Sequence, residues 1–452
     1  MSRFMPLLKI AAILFLTLLL LIPMVRIQFL IRERQALRNK VVQDIARSAG
    51  YAQIVTGPLL IIPYTRKLQE QQLDANQKLV TVTREVSGEL RLLPATMDLG
   101  GRLETEERQR GIYKARIFNS DFQLQGRFDI HANFGIESDV ASYSFGSPHL
   151  VLGISDIRGI GNALTLRANG ASVAFQPGTG TAVLAGGVQA PLTITAMTAT
   201  QTLDYQIALK LQGTGDFQVT PVGRDSHVKL ASNWPHPSFV GEFLPRTRDI
   251  NGDGFSAEWQ TSFFATNMEE ALARCAPSAD ASNRSCADFG ARHFGVSFVD
   301  PVDQYLKSER AAKYAFLFIG LTFAGFFVFE VLRRFSVHPV QYGLVGLSLA
   351  LFFLLLISFS EHIGFTAAYA VSATACVGLI TFYVRHALGS FPHAMGFGGA
   401  LATLYGLLYG ILSSEDYALL MGSLLVFGLL AAVMVLTRKV NWARLGQIGV
   451  PE

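Results

Sequence analysis

Ser155-Asp156 with Arg158 places a hydroxyl, a carboxylate and a guanidinium within four positions, the raw material for a nucleophile. No GxSxG elbow frames the serine and no histidine partner can be assigned to it, so a strand followed by a turn accounts for the same residues. Asp249-Ile250-Asn251-Gly252-Asp253-Gly254 opens like a calcium loop, in which oxygen ligands alternate and a glycine makes the sharp turn. Its twelfth position is Gln260, not the bidentate glutamate that completes such a site. The competing reading is a hairpin turn into 255–264.

Other candidates sit at the edges of apolar runs. Glu330 is the most membrane-embedded carboxylate, and such residues invite a transport or proton role. Arg333 and Arg334 lie three and four residues on, so an interfacial ion pair explains it more simply. Glu361-His362 at an outer membrane edge, and His338, His386 and His393 at inner edges, are candidates for a pH switch, against a plain role as interfacial polar residues. Cys275 and Cys286 flank ten residues without apolar periodicity, which fits a disulfide closing a surface loop peripheral to a β core; two free thiols are the alternative. Cys376 lies inside an apolar run and reads as a small hydrophobe. With no CxxC pair and no Cys/His set at zinc spacing, no metal or cofactor is expected.

The elements that must position these residues follow from composition. Half of the 452 residues are apolar and only 16% are charged, against about a quarter in a soluble domain. Lipid-length runs account for the excess: Leu7–Val25, then Tyr314–Leu332, Val340–Phe359, Ile363–Val384, Ala394–Leu412 and Tyr417–Leu436, each near the ~20 residues a crossing needs. The connections between the later runs alternate in charge: Arg333 and Arg334, then Glu361, then Arg385, then Glu415 and Asp416, then Arg438, Lys439 and Arg444. The positive-inside rule puts the first, third and last of these in the cytoplasm, with both termini, and the large intervening domain outside. Arg26, Arg32, Arg34, Arg38 and Lys40 oppose this against Arg3 and Lys9, but long domains translocate largely regardless of flanking charge. A net charge of +4 without an aromatic-interleaved basic surface makes nucleic acid an unexpected partner.

The expected organisation is a stub and anchor over 1–25, an amphipathic stalk helix over 26–56 stopped by Gly57-Pro58, a domain over 57–299, a juxtamembrane helix over 300–313 capped by Asp300, a five-helix bundle over 314–437 and a tail over 438–452. The domain reads as β because Leu59–Tyr64 is an apolar run and Glu89–Leu92, Phe122–Phe128 and Tyr205–Leu211 alternate with period two between Gly, Asn, Asp and Pro. The fold class is thus an α-helical transmembrane bundle, one helix N-terminal and five C-terminal, plus a large antiparallel, sandwich-like extramembrane domain. Gly406 and Gly410 are four apart in the fifth run and suit close packing, within the bundle or in an oligomer.

Several stretches resemble the CreD family of bacterial inner-membrane proteins: Val41–Gly50 with Thr56-Gly57-Pro58 and Ile62-Pro63-Tyr64, Arg110–Tyr113, Leu152–Gly159, Gly295–Asp303, Ser308–Tyr314, His338–Tyr342, Ser358–Phe365 and Glu415–Ser423. Ala49 stands where the family pattern has tryptophan. The resemblance implies an inner-membrane protein with a periplasmic domain, linked to envelope integrity and an envelope or β-lactam stress response, with no established activity. The expectation is a binding or scaffolding protein with the bilayer and an envelope protein as partners. A transporter or lipid-handling protein is the alternative, and a hydrolase lacks a recognisable constellation.

Overall fold

The computed structural model describes residues 5–73, 79–194, 199–275, 286–298, 300, 304–333, 337–388, 391–413 and 418–438. The chain divides into two compact units, Lys40–Pro301 on one hand and Met1–Asn39 with Val302–Glu452 on the other. Among the described residues the α-helices are α1 (Met5–Leu19), α2 (Leu21–Ala49), α3 (Phe263–Thr266), α4 (Met268–Ala273), α5 (Ala287–Ala291), α6 (Gln304–Arg333), α7 (Pro339–Ile363), α8 (Phe365–Leu388), α9 (Phe391–Ser413) and α10 (Ala418–Thr437).

In the helical unit, α1 with the start of α2 and then α6 to α10 stand where the six apolar runs lie. The break at Leu20 has a local cause. Pro23 has no N–H to give the Leu19 carbonyl, and its ring crowds that carbonyl, while Leu20 and Met24 still donate to Leu16 and Leu20 at 2.9 and 3.3 Å. His338 caps α7: its Nδ1 accepts from the Val340 N–H at 3.3 Å, and Gln341 Oε1 accepts from the His338 N–H at 3.1 Å, with Pro339 in the first helical position. Gly364, at φ +77°, is the whole connection from α7 to α8. Glu361 and His362 therefore occupy the last turn of α7, not a loop.

One expected helix boundary differs, and a second lies outside the described residues. The stalk helix stops at Ala49, eight residues before Gly57-Pro58, because Gly50 takes φ +90°, and a strand runs straight through the cis Gly57-Pro58 bond. The first turn expected after Asp300 lies outside the described residues. Asp300 itself accepts from Arg116 Nη2 at 3.0 Å, and the Glu309/Lys313 pair forms at 3.3 Å.

The strands of the other unit, in chain order, are β1 (Gln53–Leu73), β2 (Leu79–Leu92), β3 (Thr96–Arg110), β4 (Tyr113–Ile130), β5 (Tyr143–Phe145), β6 (His149–Ile154), β7 (Thr165–Ala168), β8 (Ala171–Ala174) and β9 (Gln176–Pro177). They continue as β10 (Gly187–Pro191), β11 (Gln201–Thr214), β12 (Asp216–Thr220), β13 (Asp225–Ser232), β14 (Pro237–Gly241), β15 (Thr247–Asn251), β16 (Gly254–Ser262) and β17 (Phe294–Phe298). Among the described residues they form two sheets. One runs β14-β17-β12-β1-β6-β10-β9, with β2 and β5 also on β1; the other runs β15-β16-β13-β3-β4-β11-β7-β8. Pairing is antiparallel except for β1 with β12 and β3 with β13. Neither parallel pair is sequential, so no local turn signal announces either.

Period-two alternation sets the facing sides. Along β4 the buried Phe118, Phe122, Leu124 and Phe128 point one way, and along β11 so do Leu203, Tyr205, Ile207, Leu209 and Leu211. They meet the inner face of the first sheet: Phe122 stacks on Phe217 of β12 at 4.5 Å, and Trp259 of β16 on Phe294 of β17 at 5.3 Å. The result is a β-sandwich with one aromatic-rich core.

Trp259 is fully buried and its indole N–H donates to the Phe243 carbonyl at 3.1 Å. Trp259→Ala should therefore cost about 3–5 kcal/mol in a urea titration of the solubilised full-length protein, and Trp259→Phe should recover more than half of that loss. Equal losses in the two variants would show that the site is not filled by packing.

Candidate functional site

Ser155, Asp156 and Arg158 come together, but around a strand end. Gln53, fully buried at the start of β1, donates from Nε2 to the carbonyls of Asp156 and Gln212 at 3.2 and 3.1 Å. Its Oε1 accepts from the Asp156 N–H at 3.3 Å. Ser155 Oγ accepts from the Ile54 N–H at 3.0 Å and lies 2.9 Å from the Ala52 carbonyl. Asp156 receives Arg158 Nε and Nη2 at 2.8 and 2.7 Å and the Tyr51 N–H at 3.4 Å. Arg158 also donates from Nη1 to the carbonyl of Arg47 in the last turn of α2, at 3.4 Å, a cation at a helix C-terminus. The serine hydroxyl is thus engaged with backbone, and the group ties the end of α2 to β1 and to the turn after β6. The Arg158 guanidinium beside Asp156 holds its carboxyl below the usual carboxylate range. No sequence pattern marks Gln53, whose partners lie more than 100 residues away.

The calcium-like segment is a β-hairpin. Asn251 pairs with Gly254 across a two-residue turn, Asn251 Oδ1 accepts from the Asp253 N–H at 2.9 Å, and Gln260 lies within β16 opposite His227. Residues 254–262 are committed to strand and cannot wrap an ion as the twelve-residue loop does.

Within the helical unit, Glu361 is nearly buried, with a side chain 7% exposed. It accepts from the Tyr305 hydroxyl at 3.1 Å and pairs with Arg34 at 3.8 Å, joining α2, α6 and α7. His362 beside it is exposed. Glu330 accepts from the Tyr342 hydroxyl of α7 at 3.0 Å; its expected partners Arg333 and Arg334 lie outside the described side chains. The centre of the bundle is more polar than a count of charges suggests. Midway along α8, Cys376 sits 3.3 Å from the Tyr405 hydroxyl and donates to the Ser348 carbonyl at 3.4 Å, and the Tyr369 hydroxyl donates to the Tyr405 carbonyl at 2.6 Å. A methyl group added at Gly406 would meet nothing within 4 Å beyond its own helix, and one at Gly410 only Met421 of α10, among the described residues. The tight crossings use Gly346, against Leu20 and Phe323, and Gly398, against Thr381.

A cleft of about 690 Å³ opens in the β domain. One wall is residues 87–92 of β2 with Leu93 after it, and the other includes Asp129, His131, Arg224 and Leu272. On its floor Arg91 Nε donates to Glu89 Oε1 at 2.7 Å and Nη1 to the Cys275 carbonyl, while Thr181 Oγ1 donates to Glu89 at 2.7 Å. At the mouth Arg224 pairs with Glu269 at 2.7 Å and lies 6.0 Å from the Phe263 ring. Cys275 and Cys286 are bonded, with Cα atoms 4.6 Å apart. Contrary to the expectation of a peripheral staple, Cys275 is buried in the core cluster and Cys286 packs against it. The bond anchors α4 and α5 beside the cleft.

The chain matches the family model described as Inner membrane protein CreD over residues 5–443. It is 39% identical over 425 residues to the inner membrane protein CreD of Escherichia coli (strain K12), covering 94% of this chain and 91% of that protein. Among solved structures, the M1 zinc metallopeptidase of Deinococcus radiodurans is 11% identical with 80% of this chain and 97% of that chain covered, at a TM-score of 0.19. A mutant form of that enzyme is 10% identical over 37% of this chain and 38% of its own, also at 0.19. Overlaps this weak carry no argument about fold or activity.

The depressed pKa of Asp156 has a definite sign. A carboxylate lowered in the folded state contributes stability above its unfolded value of about 3.9, and that contribution is lost as pH falls through the folded value. Asp156→Asn should lower stability by about 1–2 kcal/mol at pH 7, and the gap to the parent protein should narrow as thermal melts of the full chain are taken to about pH 3. A gap independent of pH would remove the ionised Arg158 pair from the explanation.

Proposed function

Given that this chain belongs to the CreD family of inner membrane proteins, we propose that it supports envelope integrity by binding or scaffolding through its β domain, and that this domain faces the periplasm with both termini in the cytoplasm. The cleft carries the reading: it is concave, lined by both charge signs and apolar side chains, and built on rigid strands, as ligand sites tend to be. The outward placement draws on the alternation of loop charges and on the Cys275–Cys286 bond, a pairing that persists in oxidising compartments. Ser155 and Asp156 serve the strand junction, which favours a binding protein over a hydrolase.

Transport or lipid handling is the second reading, and Glu361 is the observation behind it. A carboxylate this buried, held by one hydroxyl and one guanidinium at a helix end, is a group that can report protonation to three helices. Its ties to α2 and α6 equally suit a structural clasp.

Three experiments separate these readings. A reporter active only in the periplasm should work when fused within residues 65–290 and fail after Arg438; the reverse at both sites would overturn the topology. In cells lacking the native gene and challenged with a β-lactam, His131→Glu with Arg224→Glu, both exposed at the cleft mouth, should abolish protection at normal abundance. Full protection would disconnect the cleft from the function. Glu361→Gln and Glu330→Gln should each retain protection within about two-fold, and complete loss in either at normal abundance would favour transport.

A further inference from the structure

The cleft wall is an unpaired sheet edge, and its free hydrogen-bonding groups can be assigned residue by residue. In an antiparallel ladder each residue turns its N–H and C=O to the same side. The Gly146 N–H donates to the Pro63 carbonyl at 2.8 Å, so Pro63 faces β5, and so do the odd-numbered residues of β1 around it. The even-numbered residues then face β2: Ile62, Tyr64 and Arg66 exchange bonds with Leu90, Gly88 and Val86. The odd-numbered residues of β2, Ser87, Glu89 and Arg91 among them, must turn both backbone groups away from β1. The register is continuous from Leu60↔Leu92 to Leu73↔Leu79, so no bulge alters that parity. Among the described residues these outward groups have no backbone partner.

The charged side chains of the cleft are, by contrast, already neutralised. Arg91 pairs with Glu89 at 2.7 Å, Arg224 with Glu269 at 2.7 Å, and Asp129 with Arg127 at 3.2 Å. A small charged ligand would have to break one of these pairs; an extended polypeptide need break none. It alone presents alternating donors and acceptors at the ~3.3 Å repeat of a strand. The strand part of the wall, residues 87–92, spans about 20 Å on that repeat. On the side of Arg224, Phe264 is 90% exposed and its ring lies 5.4 Å from that of Phe263, whose ring lies 6.0 Å from the Arg224 guanidinium.

We propose that the cleft takes an extended segment of a partner protein as an added strand, hydrogen-bonded to the outward backbone groups of Ser87, Glu89 and Arg91. The inference rests on the reading of the β domain as a binding module and names what it binds. Strand addition explains why a cleft with internally satisfied charges keeps one wall open: the main chain gives affinity and the flanking side chains give selection.

The test uses the full-length protein in lipid nanodiscs and a panel of fluorescein-labelled decapeptides alternating Val or Phe with Lys or Glu, read by fluorescence anisotropy. At least one peptide should bind saturably. N-methylation of its alternate amides in one register should weaken binding at least ten-fold, and in the other register less than two-fold, because only one set faces the edge. Ser87→Pro removes an outward N–H without removing a β1–β2 bond and should also weaken binding at least ten-fold, whereas Ser87→Ala should leave it within two-fold. Thermal melts and circular dichroism spectra matching those of the parent protein confirm that both variants are folded. Binding indifferent to N-methylation and to Ser87→Pro overturns the edge but leaves the domain a binding module. Failure of every peptide to bind overturns the peptide class, and the β-lactam protection assay with the His131 and Arg224 changes then judges the cleft separately. Conversion of a dimer to a monomer by Ser87→Pro, with peptide binding unchanged, would assign the edge to a second copy instead.

Discussion

The structure of the β domain depends on one 21-residue strand whose buried part is flanked by partners on both sides. No single neighbour is long enough to flank the whole strand, so β1 changes partners along its length. Its first residues lie parallel to β12, its middle is antiparallel to β6, and its far half pairs with β2 on one side and briefly with β5 on the other. A shift between Thr56 and Leu59 accommodates the handover. Leu59 to Ile62, flanked on both sides by strands, are fully buried. Each partner is placed by the stretch of β1 it completes, and β12 brings β17 and β14 with it. An unpaired backbone group in that core would cost more than almost any side-chain contact contributes, so pairing decides the topology and side chains then fill it.

How much of this the sequence discloses follows from the range of each interaction. The alternation in β4 and β11 and the apolar runs of the helices are local periodicities, and they appear where period two and lipid length put them. Asn251 to Gly254 forms a hairpin because Gly and Asp stand at its turn. What is not local is not legible. Gln53 reads as an ordinary polar residue, yet it is fully buried because four hydrogen bonds from the turn after β6 and from β11 saturate its amide. The parallel pairs β1–β12 and β3–β13 join segments more than 100 residues apart. The polar centre of the bundle escapes notice because tyrosine and cysteine count as apolar or neutral in a span, and only assembly shows that their polar atoms meet each other and the backbone carbonyls of Ser348 and Tyr405. The disulfide was readable as a pairing of two cysteines; the burial of Cys275 depends on α4 packing inward through Met268, Ala271 and Leu272.

The two ends of the β1–β2 hairpin differ in energetic character. Near Tyr64 it belongs to the sandwich, with Tyr64 against Tyr143 at 5.3 Å and Arg66 both 3.5 Å from Asp139 and over the Tyr143 ring. Beyond Leu68 its side chains are mostly exposed, Leu79 and Val82 among them. An isolated two-stranded ribbon is marginal in water. Continuous register with a buried base therefore holds the outer half, and the exposed Lys67–Glu85 pair at 3.8 Å adds little. The stable base and the marginal tip are the two ends of a gradient, and the cleft lies at the stable end.

That position bears on how an open edge escapes aggregation. Free strand edges invite promiscuous pairing unless they are short, charged or covered. On β2 the exposed half carries Arg84 and Glu85, which disfavour a flat apolar docking surface, whereas the half that lines the cleft is shielded across from α4 and the end of β4. A second sheet approaching broadside would meet α4 before it met the edge, but a single extended strand is thin enough to enter. The geometry that protects the edge from sheets is thus the geometry that selects one strand, and the buried Cys275 beside Arg91 fixes the wall that makes the selection.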